Sequence, residues 1–212
     1  MDILNAITES LKEGQISEVK ELVQKGLDES LSCQAILNEG LFKGMEVVGE
    51  LFKEEEMYIP EVLMAAKAMQ AGVDMLEPLL VNTKRETKGK IVLGTVKGDL
   101  HNLGRNLVGI MLKGAGFEVI DLGEDVSEEK FVEAVRNEGA QIVGMSALIT
   151  TTMPYMKTTI EALKEAGFMG QVKTIIGGSC VTQRYADEIG ADSFAENAGA
   201  AVGKAKELLG LK

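Results

Sequence analysis

The hydrophobic pattern of this chain changes period once, near residue 85, and that change limits what it can fold into. Before about residue 80, apolar residues recur at three- and four-residue spacing: Ile3, Leu4, Ile7 and Leu11, then Ile16, Val19, Leu22 and Val23, then Leu37, Leu41, Met45, Val48 and Phe52. Ser17 is expected to cap the second helix. Pro60 suits the first turn of a fourth, which carries Val62, Leu63, Ala66, Met69, Val73 and Leu76. After residue 90 the pattern becomes short β-branched runs alternating with amphipathic helices: IVLGTV at 91, EVIDLG at 118, QIVGMSA at 141, VKTIIGG at 172 and DSFAE at 192. Runs apolar on both faces suit a parallel sheet covered on both sides. The expectation is an α/β chain in two domains: a four-helix bundle at 1–84, then a flavodoxin-like (Rossmann-like) five-stranded parallel sheet at 85–212, of strand order 2-1-3-4-5. The polar stretch 81–90 reads as the linker, and Ser127 as the cap of the helix between strands two and three.

Charge and cysteine usage exclude several function classes. With 33 acidic against 22 basic residues the net charge is −11, which repels a nucleic-acid backbone. No apolar run approaches the roughly 20 residues that span a bilayer, and the first residues lack a signal peptide's basic start, so a cytoplasmic protein is expected. Cys33 and Cys180 form no metal-ligand spacing. A single histidine, His101, excludes two-histidine metal motifs, so any histidine chemistry must use His101 alone.

In the expected topology a crevice opens where strand order reverses, at the C-terminal ends of strands one and three. Strand one runs into Lys97-Gly98-Asp99-Leu100-His101, and in extended chain Asp99 and His101 face the same side. A carboxylate that accepts the Nδ1 proton leaves Nε2 free for a metal and makes the ring more basic. The same pair also reads as a loop histidine beside a helix-capping aspartate. Gly104 allows a tight turn or the close passage of a bulky ligand. Strand three ends in Ser146, Leu148 and the hydroxyls of Thr150, Thr151 and Thr152; strand four ends in Gly177-Gly178, where a ligand or another backbone can approach.

Together, VKGDLHNLGRNLVG, GMSALITTTM and IGGS resemble the cobalamin-binding domains of methionine synthase and of corrinoid proteins in methyltransferase systems. The DxHxxG pattern is Asp99, His101 and Gly104, the SxL pattern Ser146, Ala147 and Leu148, and the GG pattern Gly177 and Gly178. GLFKGMEVVGELFKEEEMYIPEVLMAAKAM is similar to the family's helical cap, so the resemblance covers nearly the whole chain.

The resemblance implies a cobalamin or related corrinoid alternating between Co(I) and methyl-Co(III). His101 is then the lower cobalt ligand in place of dimethylbenzimidazole, with Asp99 behind it, and the displaced tail passes Gly104, Ser146, Leu148, Thr150, Gly177 and Gly178. Thr152 stands where methionine synthases carry a serine that completes the relay, and Ala195 and Glu196 offer backbone contacts to the tail. Met45, Val48, Met57, Tyr58, Met64 and Met69 read either as a lid over the corrin or as bundle core.

In function, the resemblance implies the methyl-carrying subunit of a corrinoid-dependent methyltransferase system. Its expected partners are a substrate-specific methyltransferase and a second methyltransferase, with a corrinoid-reactivating protein as a further candidate; neither nucleic acid nor membrane is expected. A cobalamin-dependent sensor or regulatory module shares the ligand motif but would be expected to carry an output module.

Overall fold

The computed structural model describes residues 2–80, 87–168 and 170–211. The chain divides into two compact units, Met1–Glu86 with Gly114–Gly116, and Thr87–Lys113 with Phe117–Lys212. The expected boundary at residue 85, with residues 81–86 of the expected linker, lies outside the described residues.

The first unit is helical. It comprises α1 (Ile3–Lys12), α2 (Ile16–Asp28), a continuous run of α3 (Cys33–Ala35), a π-helical segment (Ile36–Phe42) and α4 (Lys43–Lys53), and then α5 (Ile59–Leu80). The helical spacing buries Ile7, Leu11, Val19, Val23, Leu37, Leu41, Met45, Val48, Val62, Met69 and Leu76. Ser17 does not cap α2: the cap position is Gln15, and Ser17 stands exposed inside the first turn.

The π-helical segment was not expected. There the chain packs closely on α1, since a Cβ on Gly40 would lie 3.1 Å from Ile7 and one on Gly44 3.0 Å from Leu11. Thr8 Oγ1 donates to the Gly40 carbonyl at 3.1 Å, partnering a buried acceptor in this irregular turn. Of the six lid candidates, Met45, Val48, Met57 and Met69 are buried, whereas Tyr58 and Met64 are exposed.

The second unit is the expected parallel sheet, β1 (Lys90–Thr95), β2 (Glu118–Asp121), β3 (Ile142–Ser146), β4 (Lys173–Gly177) and β5 (Ser193–Ala195), in the order β2-β1-β3-β4-β5. Five helices alternate with these strands: α6 (Leu103–Gly114), α7 (Glu128–Glu138), α8 (Pro154–Glu165), α9 (Gln183–Ile189) and α10 (Ala198–Leu208). Val92, Val143, Met145 and Ile176 from the strands pack with Phe131, Val135, Met156, Ile160 and Ala186 from the helices. Ser127 holds the cap position of α7, but its hydroxyl makes no capping bond to a backbone amide.

The register places Thr95, Ser146, Gly177 and Ala195 side by side, so one row of residues crosses four strands at their C-terminal edge. Just beyond it, Gly178 adopts a φ of +132°, and a Cβ there would lie 1.9 Å from the Ala147 carbonyl oxygen. A Cβ on Gly177 would sit 2.8 Å from the Ala195 oxygen. The glycine pair is therefore required by neighbouring backbone.

At the other end of the sheet, Asp192 ties β4 to the chain entering β5. It accepts from Lys173 Nζ and from the Thr174 amide and hydroxyl, each at 2.9 Å. Burial raises its carboxyl pKa, but the Lys173 and Thr174 bonds outweigh this and hold it below its usual value. A depressed carboxyl pKa contributes stability above the unfolded value, about 4, and loses it as pH falls toward the folded value. Asp192→Ala is expected to lower the unfolding free energy at pH 7 by about 1–3 kcal/mol, mainly through the lost Thr174 bonds. Urea midpoints of wild type and variant should converge as pH drops below about 4; a gap that persists at low pH would contradict this account.

Candidate functional site

The topological reversal puts the exits of β1 and β3 beside each other, and the sequence-expected residues meet there. Asp99 lies in the loop between β1 and α6 and is fully buried. Its Oδ1 accepts from the His101 amide at 3.0 Å and from His101 Nδ1 at 2.8 Å. Its Oδ2 accepts from the Leu148 amide and from Thr152 Oγ1, both at 2.8 Å. The carboxylate thus collects four donors from the β1 exit, the β3 exit and the approach to α8. Burial alone would raise its pKa, but the His101 and Leu148 amides, the Thr152 hydroxyl and the His101 ring together hold it well below the usual carboxylate range.

This answers the question left open by the DxH pair. The Asp99 oxygens are taken by these four donors and do not cap α6. An ionised carboxylate only accepts, so the bond to Asp99 engages Nδ1 as the donor and leaves Nε2 uncommitted. The ring is half exposed, at 52%, and Nε2 has no hydrogen-bond partner among the described residues.

The other expected residues are arranged around this pair. Ser146 Oγ pairs with Thr95 Oγ1 at 2.9 Å, and Thr95 Oγ1 lies 3.4 Å from the His101 carbonyl. Leu148 supplies its amide to Asp99, and its side chain is 41% exposed. Thr150 is exposed in the turn after β3, and Gly177 lies opposite Ser146. Gly104 is inside α6, so no tight turn explains it, and a Cβ there would meet nothing within 4 Å.

Several contributors carried no assigned role in the sequence reading. Thr95 is a hydroxyl buried at the end of an apolar strand, which is the signal that could have found it. Leu100, Leu103 and Ile149 are exposed beside motif residues, Leu100 at 66% and Leu103 at 63%. Together with Leu148 they are large apolar side chains facing water close to His101 in the chain or at the β3 exit.

This set fits a metal carried inside its own macrocycle. Among the described residues no three His, Cys, Asp or Glu side chains gather as a metal cage. One oriented imidazole suffices when the cofactor supplies the remaining ligands, and exposed leucines and an open glycine suit a large, partly apolar molecule.

Comparison with known proteins agrees. Two family models, each described as a B12 binding domain, match residues 89–203 and 3–77. A corrinoid protein of Desulfitobacterium hafniense strain Y51 is 46% identical over 213 residues, 99% of each chain. Dimethylamine corrinoid protein 1 of Methanosarcina acetivorans is 49% identical over 180 residues, 84% of each chain. Among solved structures, the methanol:cobalamin methyltransferase complex of Methanosarcina barkeri superposes with a TM-score of 0.89 at 29% identity, covering 98% of this chain and 80% of that one. A cobalamin-binding protein of Desulfitobacterium hafniense DCB-2 gives 0.81 at 33% identity, covering 97% and 98%. The chain therefore belongs to the family of corrinoid proteins built from B12-binding domains, and its cofactor is a corrinoid.

Proposed function

We propose that this protein is a methyl carrier whose His101 Nε2 is the lower ligand to the corrinoid cobalt, and that it passes a methyl group between a substrate-specific methyltransferase and a second methyltransferase. The observation that carries this reading is the His101 ring, tied at Nδ1 to a buried, ionised Asp99 while Nε2 is left free. Relatives named as dimethylamine corrinoid proteins and a structural neighbour in a methanol:cobalamin methyltransferase complex support the carrier role and the first partner class. A corrinoid-reactivating protein is a further partner on this reading. In this scheme residues 1–84 form the cap domain and residues 85–212 the cobalamin-binding domain.

When bound, the corrinoid supplies a cobalt that accepts and releases methyl groups, and the protein tunes it. The protein's own part is positional and electrostatic. Asp99, bonded to Nδ1, holds the ring in one orientation and turns Nε2 away from itself. Thr152 donates to the far oxygen of Asp99 and keeps that carboxylate oriented. Gly104 leaves room for the cofactor tail. On this reading the tail continues past Ser146, Leu148, Thr150, Gly177 and Gly178.

The ligand assignment is tested with hydroxocobalamin bound to protein labelled with ¹⁵N-histidine and reduced to Co(II). The paramagnetic resonance spectrum should show the two-line nitrogen splitting of ¹⁵N; the three-line pattern of unlabelled benzimidazole would exclude His101. His101→Ala should lose the labelled coupling while still binding corrinoid.

Gly104→Leu provides a separate test of the tail path. The position has open space and lies in a helix, so stability without cofactor should be unchanged or higher by up to about 1 kcal/mol. Hydroxocobalamin affinity should nevertheless fall at least about tenfold, since a side chain would occupy the ligand's path. Unchanged affinity by spectral titration would place the tail elsewhere.

A further inference from the structure

Asp125, in the loop between β2 and α7, is one of three non-glycine residues with a positive φ among the described residues, at +53°. Aspartate tolerates this region better than most residues, yet glycine tolerates it best. A side chain kept there calls for a reason, and its contacts supply one. Asp125 Oδ1 accepts from the Gly98 amide at 2.7 Å, and the Asp125 amide donates to the Asp99 carbonyl at 3.1 Å. Gly98 is the third residue of a β-turn closed by the Asp99 amide on the Val96 carbonyl at 3.1 Å, and has the positive φ, +76°, that this position favours in glycine turns.

Asp125 therefore holds the turn before the histidine at two points, 27 residues away in sequence. The rest of its loop reinforces the grip. Thr95 donates to the Gly123 carbonyl at 2.9 Å, Val126 donates to the Thr95 carbonyl at 3.0 Å, and Asn102 Nδ2 donates to Glu124 Oε2 at 2.8 Å. These bonds bracket the segment 95–102, which contains both Asp99 and His101.

We propose that Asp125 is a positioning residue for the cobalt ligand: by gripping the Gly98 turn through its side chain and the Asp99 carbonyl through its amide, it fixes where the Asp99 carboxylate, and hence the His101 ring, stands. Asp99 is then pinned at both ends, at its carbonyl by Asp125 and at its carboxylate by Leu148 and Thr152. The proposal rests on the reading of His101 as lower ligand, but one of its two tests does not.

Two substitutions separate the side chain from the backbone conformation. Asp125→Gly keeps the positive φ and removes the acceptor; Asp125→Asn keeps both. In the full-length protein without cofactor, hydrogen exchange of the Gly98 amide should quicken about tenfold in Asp125→Gly, the change expected from losing one hydrogen bond, and be largely restored in Asp125→Asn, whose amide oxygen still accepts. After loading with hydroxocobalamin and reduction to Co(II), the ratio of ¹⁵N-histidine-coupled to uncoupled signal should fall by up to about tenfold in Asp125→Gly and be restored in Asp125→Asn.

Wild-type exchange at Gly98 in Asp125→Gly would overturn the grip itself. Faster exchange with an unchanged ligation ratio would overturn its role in positioning His101, as would an Asp125→Asn protein that behaves like Asp125→Gly. Absence of labelled coupling in the wild type would instead refute the ligand reading, leaving the exchange result to stand by itself.

Discussion

The Asp99 carboxylate is the interaction on which the rest of the site depends. A buried, ionised carboxylate without partners costs several kcal/mol. Asp99 has four, and hydrogen bonds to a charged group contribute roughly 1.5–3 kcal/mol each, so the bonds win and the group stays ionised. Its depressed pKa and its complete burial are two results of one arrangement. Two of the four, from Leu148 and Thr152, reach Asp99 from 49 and 53 residues away in sequence, so the charge also fastens the β3 exit to the histidine loop. An imidazole that is half exposed is thereby held in a fixed orientation through Nδ1.

That arrangement is available only because of the sheet order. With β1 flanked by β2 on one side and β3 on the other, the loops leaving β1 meet chain from both neighbours. The β3 side supplies donors to the Asp99 carboxylate, and the β2 side holds the backbone before it. The exit row Thr95, Ser146, Gly177 and Ala195 is kept low by small residues, and steric demands of the sheet explain Gly177 and Gly178 without reference to any ligand. Gly104 is the contrasting case, since nothing in the protein asks for its missing side chain. A glycine whose absent Cβ would strike backbone is explained by folding alone, whereas Gly104, like Gly203 in α10, faces open space and has no such explanation.

How much of this was legible in the sequence depends on the range of the interactions involved. The strands and their order followed from local apolar runs and the handedness of crossovers; four observed strands fall within their expected runs, and β1 begins one residue before its run, at Lys90. The Asp99-His101 pairing was legible because two-residue spacing brings both to one side. The Ser17 cap failed because a serine near a helix start is only locally plausible, and the chain entered α2 two residues earlier. The π-helical segment escaped because it changes the turn while leaving the apolar spacing helix-like. Methionine spacing could not separate core from surface in the helical unit, where Met45 is buried and Met64 is exposed. Asp125 had no local signal, because its partners are Gly98 and Asp99, and only the finished sheet brings them together.

Thr152 shows how one side chain can satisfy two of these demands. Its hydroxyl has a single proton and two acceptors in reach, the Asp99 carboxylate at 2.8 Å and the Ile149 carbonyl at 2.9 Å; the ionised oxygen is the stronger acceptor. A serine could make the same bond. The additional methyl of threonine lies toward the Gly98 turn, where a Cβ on Gly98 would be 3.6 Å from Thr152 Cγ2. β-Branching also restricts χ1, so a hydroxyl packed in this way has fewer rotamers in which to lose Asp99. The turn before the histidine is thus bounded by Asp125 through hydrogen bonds and by Thr152 through packing. At this position a threonine makes the Asp99 bond that a serine could make and adds a methyl directed toward the Gly98 turn.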